Sequence, residues 1–249
     1  MKTYKDYVYL YETHLHTNEG SACAKNNGYE MAKAAKEYGY SGIIVTEHNW
    51  GGNTCVDNSM EWSCWVDEFA KGYYNAKKFG DENDLTVMFG YEAGYDGTEF
   101  LIYGPDINWL KMHSEIKKAS VEKQYEIIHK CGGYIVHAHP FREEYYIPEI
   151  RLFPNYVDAV EGINATHSCK KSTHHNDPEA DLKACKYAND NKLPITAGSD
   201  IHNINIFGGG VLFRKKINDI KEYIEGIKSG DYVLTNGDHI FDIYGKMLE

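Results

Sequence analysis

Two hydrophobic periods alternate along the chain. Apolar runs with strand character cover 7–16, 42–48, 85–92, 99–104, 133–139, 157–163, 194–199, 209–213 and 231–235. Between them lie stretches with helical spacing. GYEMAKAAKEYGY places Met31, Ala34, Ala35 and Tyr38 on one helical face and stops at Gly39. SVEKQYEIIHKCGG opens on Ser120 and ends at Gly132-Gly133. DPEADLKACKYANDNK predicts a helix capped by Asp177 with Pro178 at its first position. DIKEYIEGIKSG closes at Gly230. Strands alternating with helices over this length predict a parallel α/β sheet, open or closed. With no internal repeat, low-complexity tract or linker in view, residues 1–249 are expected to form one domain.

One stretch breaks the rhythm. NWGGNTCVDNSMEWSCWV (49–66) follows the second strand and carries Trp50, Trp62 and Trp65. Two readings stand: a loop covering a substrate, since loops after barrel strands build active faces, or a packed insertion.

The strand ends carry the chemistry. ETHLHT ends the first run with His14 and His16, IIVTEHN the second with His48, and VMFGYEAG the third with Glu92. YIVHAHPFR brings His139, and ITAGSDIH brings Asp200 and His202. Residues i and i+2 of a strand share a face, so His14 and His16 project together, as do Asp200 and His202. Imidazole and carboxylate ligands, without thiolate, suit Zn, Mn or Fe acting as a Lewis acid. An apolar strand tipped by Glu92 must also neutralise that buried charge, and metal ions would do so. Pro140 favours an extended His139, and His137 is read as a core or supporting histidine. Glu47 is out of phase with His48 and is assigned a supporting role. His167 and His113 are weaker candidate ligands. His129, His174, His175 and His239 read as solvent-exposed.

Composition narrows the partners. The formal charge is −11, which opposes tracking of a long nucleic-acid backbone. Arginine occurs at only three positions, Arg142, Arg151 and Arg214. Arg142, three residues after His139, is therefore read as a clamp for a phosphate or carboxylate rather than as a surface ion pair with Glu143 or Glu144. The six cysteines form no CxxC pair and are expected to be free thiols; a bridge between Cys55 and Cys64, which flank one loop, is the disfavoured alternative. No apolar run is long enough for a membrane span, and the start lacks a signal-peptide core. The expected location is the cytoplasm, with no membrane partner.

Taken in order, HxH, TEH, the strand-end Glu, AHP and GSDxH resemble the PHP family, named for polymerase and histidinol phosphatase. The resemblance runs from His14 to His202 and beyond. It implies a distorted (β/α)7 TIM-like barrel of parallel strands, with two or three divalent metal ions at their C-terminal ends. Carried over, His14, His16, Glu92 and Asp200 would hold the first metal. Glu92 would bridge to a second, also bound by His139 and His113, and His48 with His202 would hold a third. Two positions depart from the pattern. Many relatives place an Asp in an S-D-G run after HxHT, near the third metal; here the run is HTNEGSACA, and Glu19, in a different register, is the nearest carboxylate. TEH also stands where TDH is usual.

The resulting expectation is a metal-dependent phosphoesterase. A hydroxide between two metals would hydrolyse a small phosphomonoester, with Arg142, Asp200 and His202 as the catalytic group. Alternatives are a phosphodiesterase or exonuclease on nucleotides or short oligomers, a protein-tyrosine phosphatase, a C–N amidohydrolase, and a metal-dependent binding module. An amidohydrolase often uses a modified lysine at a strand end, and no such lysine is apparent.

Overall fold

A curled ten-stranded sheet organises the computed structural model, which describes residues 4–248. Its strands are β1 (Tyr9–Leu15), β2 (Gly42–His48), β3 (Thr86–Tyr95), β4 (Thr98–Tyr103), β5 (Tyr134–Ala138), β6 (Ala159–Asn164), β7 (Ile195–Gly198), β8 (Gly209–Phe213), β9 (Tyr232–Asn236) and β10 (Ile240–Phe241). Every strand expected from the sequence is present. The spatial order is β10-β9-β8-β1-β2-β3-β4-β5-β6-β7. The arc bends until its β7 end meets β1. Leu15 and Ile201 form a parallel bridge there. His16 N donates to Ile201 O at 3.0 Å, and Ile201 N donates to His14 O at 3.2 Å.

The wholly parallel sheet is not what forms. Parallel pairing joins β1 to β2, β2 to β3, β5 to β6 and β6 to β7. Strand β4 runs antiparallel to both β3 and β5, and β8 is antiparallel to β1 and β9. The cause is local. Asp96 (φ 45°) and Gly97 (φ 85°) make a two-residue turn between β3 and β4, and an Asp-Gly pair in that conformation closes a hairpin without a crossover helix. The chain therefore starts β4 at the end of the sheet where β3 finishes, which places Glu99 beside Glu92.

The helices are α1 (Gly28–Tyr38), α2 (Trp62–Phe69), α3 (Lys71–Glu82), α4 (Ile107–Met112), α5 (Val121–Lys130), α6 (Ala165–Ser168), α7 (Pro178–Asp190) and α8 (Ile220–Ser229). Asn27 and Glu30 form a capping box at the start of α1, which satisfies two otherwise unpaired amides. Pro178 opens α7 as expected, but Asp177 makes no side-chain cap hydrogen bond.

Strand residues alternate between packing faces. Tyr11, Ile44, Met88, Leu101 and Tyr103 pack with Phe213 and Tyr223. Phe89, Tyr91, Phe100 and Ile102 pack with Trp65, Phe69 and Ile128. Ile43, Val45 and Val87 meet Met31, Ala32 and Ala35 of α1. Each such large side chain contributes roughly 1.5–3 kcal/mol by leaving water. The 49–66 stretch resolves in favour of packing at its tryptophans. Trp62 and Trp65 stack at 5.5 Å, Trp50 meets Trp65 edge-on at 5.6 Å, and Trp62 Nε1 donates to Leu110 O at 2.8 Å. Cys55 and Cys64 are free thiols. Among the described residues no helix is long and apolar enough to cross a membrane.

Candidate metal centre

Seven of the sequence-selected side chains converge where the strands end. His14 and His16 come from β1, His48 from β2, Glu92 from β3 and His139 from just past β5, with Asp200 and His202 following β7. The parallel register pairs His48 with Glu92 on adjacent strands. His48 Nδ1 lies 2.7 Å from Glu92 Oε2, and His14 Nε2 lies 3.2 Å from Glu92 Oε1. His139 Nε2 is 3.1 Å from Glu92 Oε1. Asp200 Oδ1 stands 3.3 Å from His16 Nε2 and 3.5 Å from His14 Nε2. The rings of His16 and His202 stack at 4.3 Å, as do those of His16 and His48.

Two backbone distortions aim these groups. His139 adopts φ 27° and Asp200 φ 54°. The extended backbone that Pro140 favours is therefore not adopted at His139. A turn closes there, with Arg142 N donating to His139 O at 3.0 Å and His139 N donating to Glu161 Oε2 at 3.2 Å. Such conformations cost about 1–3 kcal/mol each in a residue with a side chain, and they persist at sites where the surroundings enforce them.

Buried polar atoms without hydrogen-bond partners mark the centre. They include His14 Nε2, His16 Nε2, His48 Nδ1 and Glu92 Oε2. These atoms approach one another closely without the alignment of hydrogen bonds. A buried unpaired donor or acceptor costs on the order of 1–3 kcal/mol, so four together need a common partner. The nitrogens and carboxylate oxygens group into sets within 4.8 Å: His14, His16 and Glu92; His14, His139 and Asp200; His16, His48 and His202; and His48, Glu92 and Glu99. A bound metal ion fits this donor set.

The far ring nitrogens are fixed from behind. His14 Nδ1 lies 3.0 Å from Glu161 Oε1, and His16 Nδ1 lies 3.1 Å from Ser21 Oγ. His202 Nδ1 is 2.9 Å from Asp200 O. Each contact leaves Nε2 turned to the centre, the arrangement that orients a metal-binding imidazole. Glu47 faces away, accepting from Ser21 Oγ at 2.6 Å and from Thr17 N at 3.0 Å.

Charge is finely divided. Burial pushes the carboxyls of Glu92 and Asp200 up, but the histidines beside Glu92, and Arg142 with His14 beside Asp200, bring both well below the usual range. Burial lowers His14, and Glu161, Asp200 and Glu92 raise it further than burial lowers it. Burial and then Arg142 bring His139 down to about 4. Glu99 rises to about 7, through burial first and the Glu92 carboxylate second.

Three candidate ligands lie outside the cluster. Glu19 accepts from Gly28 N at 2.8 Å and from Asn75 Nδ2 at 2.6 Å, so it ties α1 to α3. His113 stacks on Trp109 at 4.1 Å, with Nδ1 2.9 Å from Trp109 O, at the end of α4. His167 sits behind Arg142: its Nδ1 is 2.9 Å from Asp181 Oδ1, and its Nε2 accepts from Arg142 Nε at 3.1 Å. Arg142 Nη2 reaches Asp200 Oδ2 at 2.6 Å. His137 packs on Phe100 with ring centroids 5.0 Å apart.

Two residues escaped the sequence reading. Glu99 was hidden because ligands were sought only at the ends of parallel strands, and it stands at the start of an antiparallel one. The signal was the Asp96-Gly97 turn. Glu161 interrupts the apolar run of β6, and a buried carboxylate inside a strand was the available cue.

The cluster opens into a cavity of about 640 Å³ lined by His48, Glu99, Arg142, Asp200, His202 and Tyr146, with Lys25 and His174 also on its wall.

Residues 178–232 match the family model PHP_C, described as PHP-associated. No curated protein sequence gives a significant match. Among solved structures, the chain is similar to a two-domain protein from Bacteroides vulgatus said to contain a predicted PHP-like metal-dependent phosphoesterase. That match has TM-score 0.64 and 13% identity, over 94% of this chain and 67% of the other. It is similar to a Bifidobacterium adolescentis protein assigned as a metal-dependent phosphoesterase, with TM-score 0.53 and 14% identity, covering 88% of this chain and 95% of that one. An amidohydrolase from Chromobacterium violaceum, with bound sulfate and no metal, matches at TM-score 0.51 and 14% identity over 78% and 87% of the two chains.

Proposed function

We propose that this chain, a member of the PHP domain family, is a metal-dependent phosphoesterase that hydrolyses a small phosphomonoester. The observation that carries the reading is the set of orphaned, buried ring nitrogens and carboxylate oxygens lying against Arg142 at the floor of an open cavity. His14, His16, His48, Glu92, Glu99, His139, Asp200 and His202 would hold two or three divalent cations. When bound, such ions supply Lewis acidity that lowers the pKa of water and neutralises charge on phosphoryl oxygens.

The chain's own groups supply the rest. Arg142 offers a planar, permanently charged donor to the non-bridging phosphoryl oxygens, and His167 holds its Nε. Lys25, on the cavity wall, adds positive charge toward the substrate. In-line attack by water forms the new P–O bond as the P–O ester bond breaks, and a proton from that water ends on the leaving oxygen, which departs as an alcohol. The cavity volume suits a small organic group, and the chain's net charge of −11 disfavours a long nucleic acid.

A C–N hydrolase is the second reading, favoured by the fold shared with the amidohydrolase. No lysine is among the buried described residues, so the bridging modified lysine of that chemistry has no counterpart here. The test is phosphate release from phosphomonoesters, dinucleotides and a phosphotyrosine peptide, using Mn-reconstituted protein beside Asp200→Asn. Mutant-sensitive release from monoesters supports the proposal. Release from dinucleotides alone turns it to a diesterase, and silence with metal bound overturns it.

A further inference from the structure

A buried line of polar contacts runs from Arg142 away from the metal centre and into α7. Arg142 Nε donates to His167 Nε2 at 3.1 Å, and His167 Nδ1 lies 2.9 Å from Asp181 Oδ1. Arg142 follows β5, His167 belongs to α6, and Asp181 sits in the first turn of α7. All three side chains are buried. Through Oδ2, Asp181 also accepts from Ser168 Oγ at 2.7 Å and from Asn164 N at 3.2 Å.

Hydrogen-bond chemistry fixes the direction of each proton along this line. A guanidinium has donors and no acceptor, so His167 Nε2 must present its lone pair to Arg142. The neutral ring then carries its proton on Nδ1, and that proton needs an acceptor. Asp181 Oδ1 is the acceptor. The opposite tautomer would set a ring N–H against the Nε–H of Arg142. Asp200, the other partner of Arg142, itself lies against His14 and His16 of the centre. The His167 contact therefore orients the guanidinium without drawing on a candidate metal ligand.

We propose that Asp181 is a positioning residue: it holds His167 in the Nδ1–H tautomer, and the lone pair on Nε2 of that ring aims Arg142 at the cavity. The inference rests on the reading of Arg142 as a phosphate clamp and names what orients the clamp. Asp181 acts through His167 and not on the substrate.

Asp181→Asn tests this with little change of shape. Asn164 N can only donate, so the amide oxygen of the variant turns to it and the NH2 group faces His167 Nδ1. That nitrogen must then accept, and the ring proton moves to Nε2, against Arg142. Side-chain 15N spectra at neutral pH, with and without added Zn, report the tautomer, and the His167→Ala spectrum identifies the His167 signals. The proton is expected on Nδ1 in wild type and on Nε2 in Asp181→Asn. Inorganic phosphate serves as the binding probe. Asp181→Asn and His167→Ala should each weaken its affinity about 10-fold. The double variant should lose no more than His167→Ala alone, because Asp181 has no route to Arg142 once the ring is gone.

An acid that merely anchors α7 would leave the tautomer unchanged, and its loss would multiply with that of His167→Ala. Wild-type His167 protonated on Nε2, an unchanged tautomer in Asp181→Asn, or multiplying losses would each overturn the proposal. The wild-type spectrum can refute it whatever the stability of the variants. Wild-type protein that shows the expected tautomers but binds no phosphate would overturn the clamp reading instead, and the role of Asp181 in holding the ring would stand.

Discussion

Glu161 Oε1 stands 3.0 Å from His14 Nδ1, and both side chains are buried from solvent. The same carboxylate accepts from His139 N at 3.2 Å and from Asn164 Nδ2 at 3.0 Å through its other oxygen. One acid thus orients a ring from β1 and a turn after β5. Its carboxyl is held low despite burial, chiefly by His14. Glu161→Gln keeps the shape and removes the charge. It should weaken metal binding roughly 10- to 100-fold, read by competition with a chelator, while circular dichroism shows the fold retained. Unchanged affinity would remove Glu161 from the positioning of His14.

Arg142 is held at two points, by Asp200 and by His167. If it binds phosphoryl oxygens, Arg142→Lys should lower kcat/KM for the phosphomonoester about 100-fold, because an ammonium cannot reproduce the planar fork. His167→Ala should give a smaller loss, carried mainly by KM, since it frees the guanidinium without removing it. Steady-state kinetics separates the two. Wild-type kinetics in Arg142→Lys would exclude the clamp.

Glu47 is buried beneath the ligand loops, and burial raises its carboxyl to about 7 despite hydrogen bonds from Ser21 and Thr17. Between its ordinary value of 4.5 and about 7, the folded state retains a proton that the unfolded chain has released. Stability should therefore fall as pH rises through this window, by on the order of 3 kcal/mol from this group alone. Below it the full contribution is present. Urea unfolding of metal-free protein at a series of pH values should show a shallower decline in Glu47→Gln than in wild type. Parallel curves would refute the assignment.

Gly97 sits in the β3–β4 turn at φ 85°, and an added Cβ would lie 3.0 Å from Ile147 Cα. Gly97→Val should destabilise by about 2 kcal/mol or more, combining backbone strain with the clash. The denaturation midpoint reads the loss. Because Glu99 follows two residues later, metal affinity should fall as well. A midpoint equal to wild type would mean that the turn tolerates a side chain.

How far the centre was legible follows from the range of each cue. The pairs His14/His16 and Asp200/His202 share an i, i+2 period, which any strand imposes on its own residues. Strand ends were visible where apolar runs stop, so His48 and Glu92 followed. Arg142 stood out through the scarcity of arginine. Glu19 and His113 are chemically suitable ligands near suitable motifs, yet one ties α1 to α3 and the other packs on Trp109.

The amino-acid order alone determined the nine strand runs, the ligand types and the metal-dependent character expected of them, because these depend on residue chemistry and on spacing within a few positions. The Asp96-Gly97 turn, itself written in the sequence, sets the direction of β4, but only the sheet register brings Glu99 close to both Glu92 and His48. Tertiary structure decided that Glu161 stands behind His14 and that His167 holds Arg142 instead of a cation. Each of those relations joins residues on different strands or loops. Their distances are set by sheet register, by the curl that brings β7 to β1, and by backbone anchors between loops, none of which has a period along a single segment.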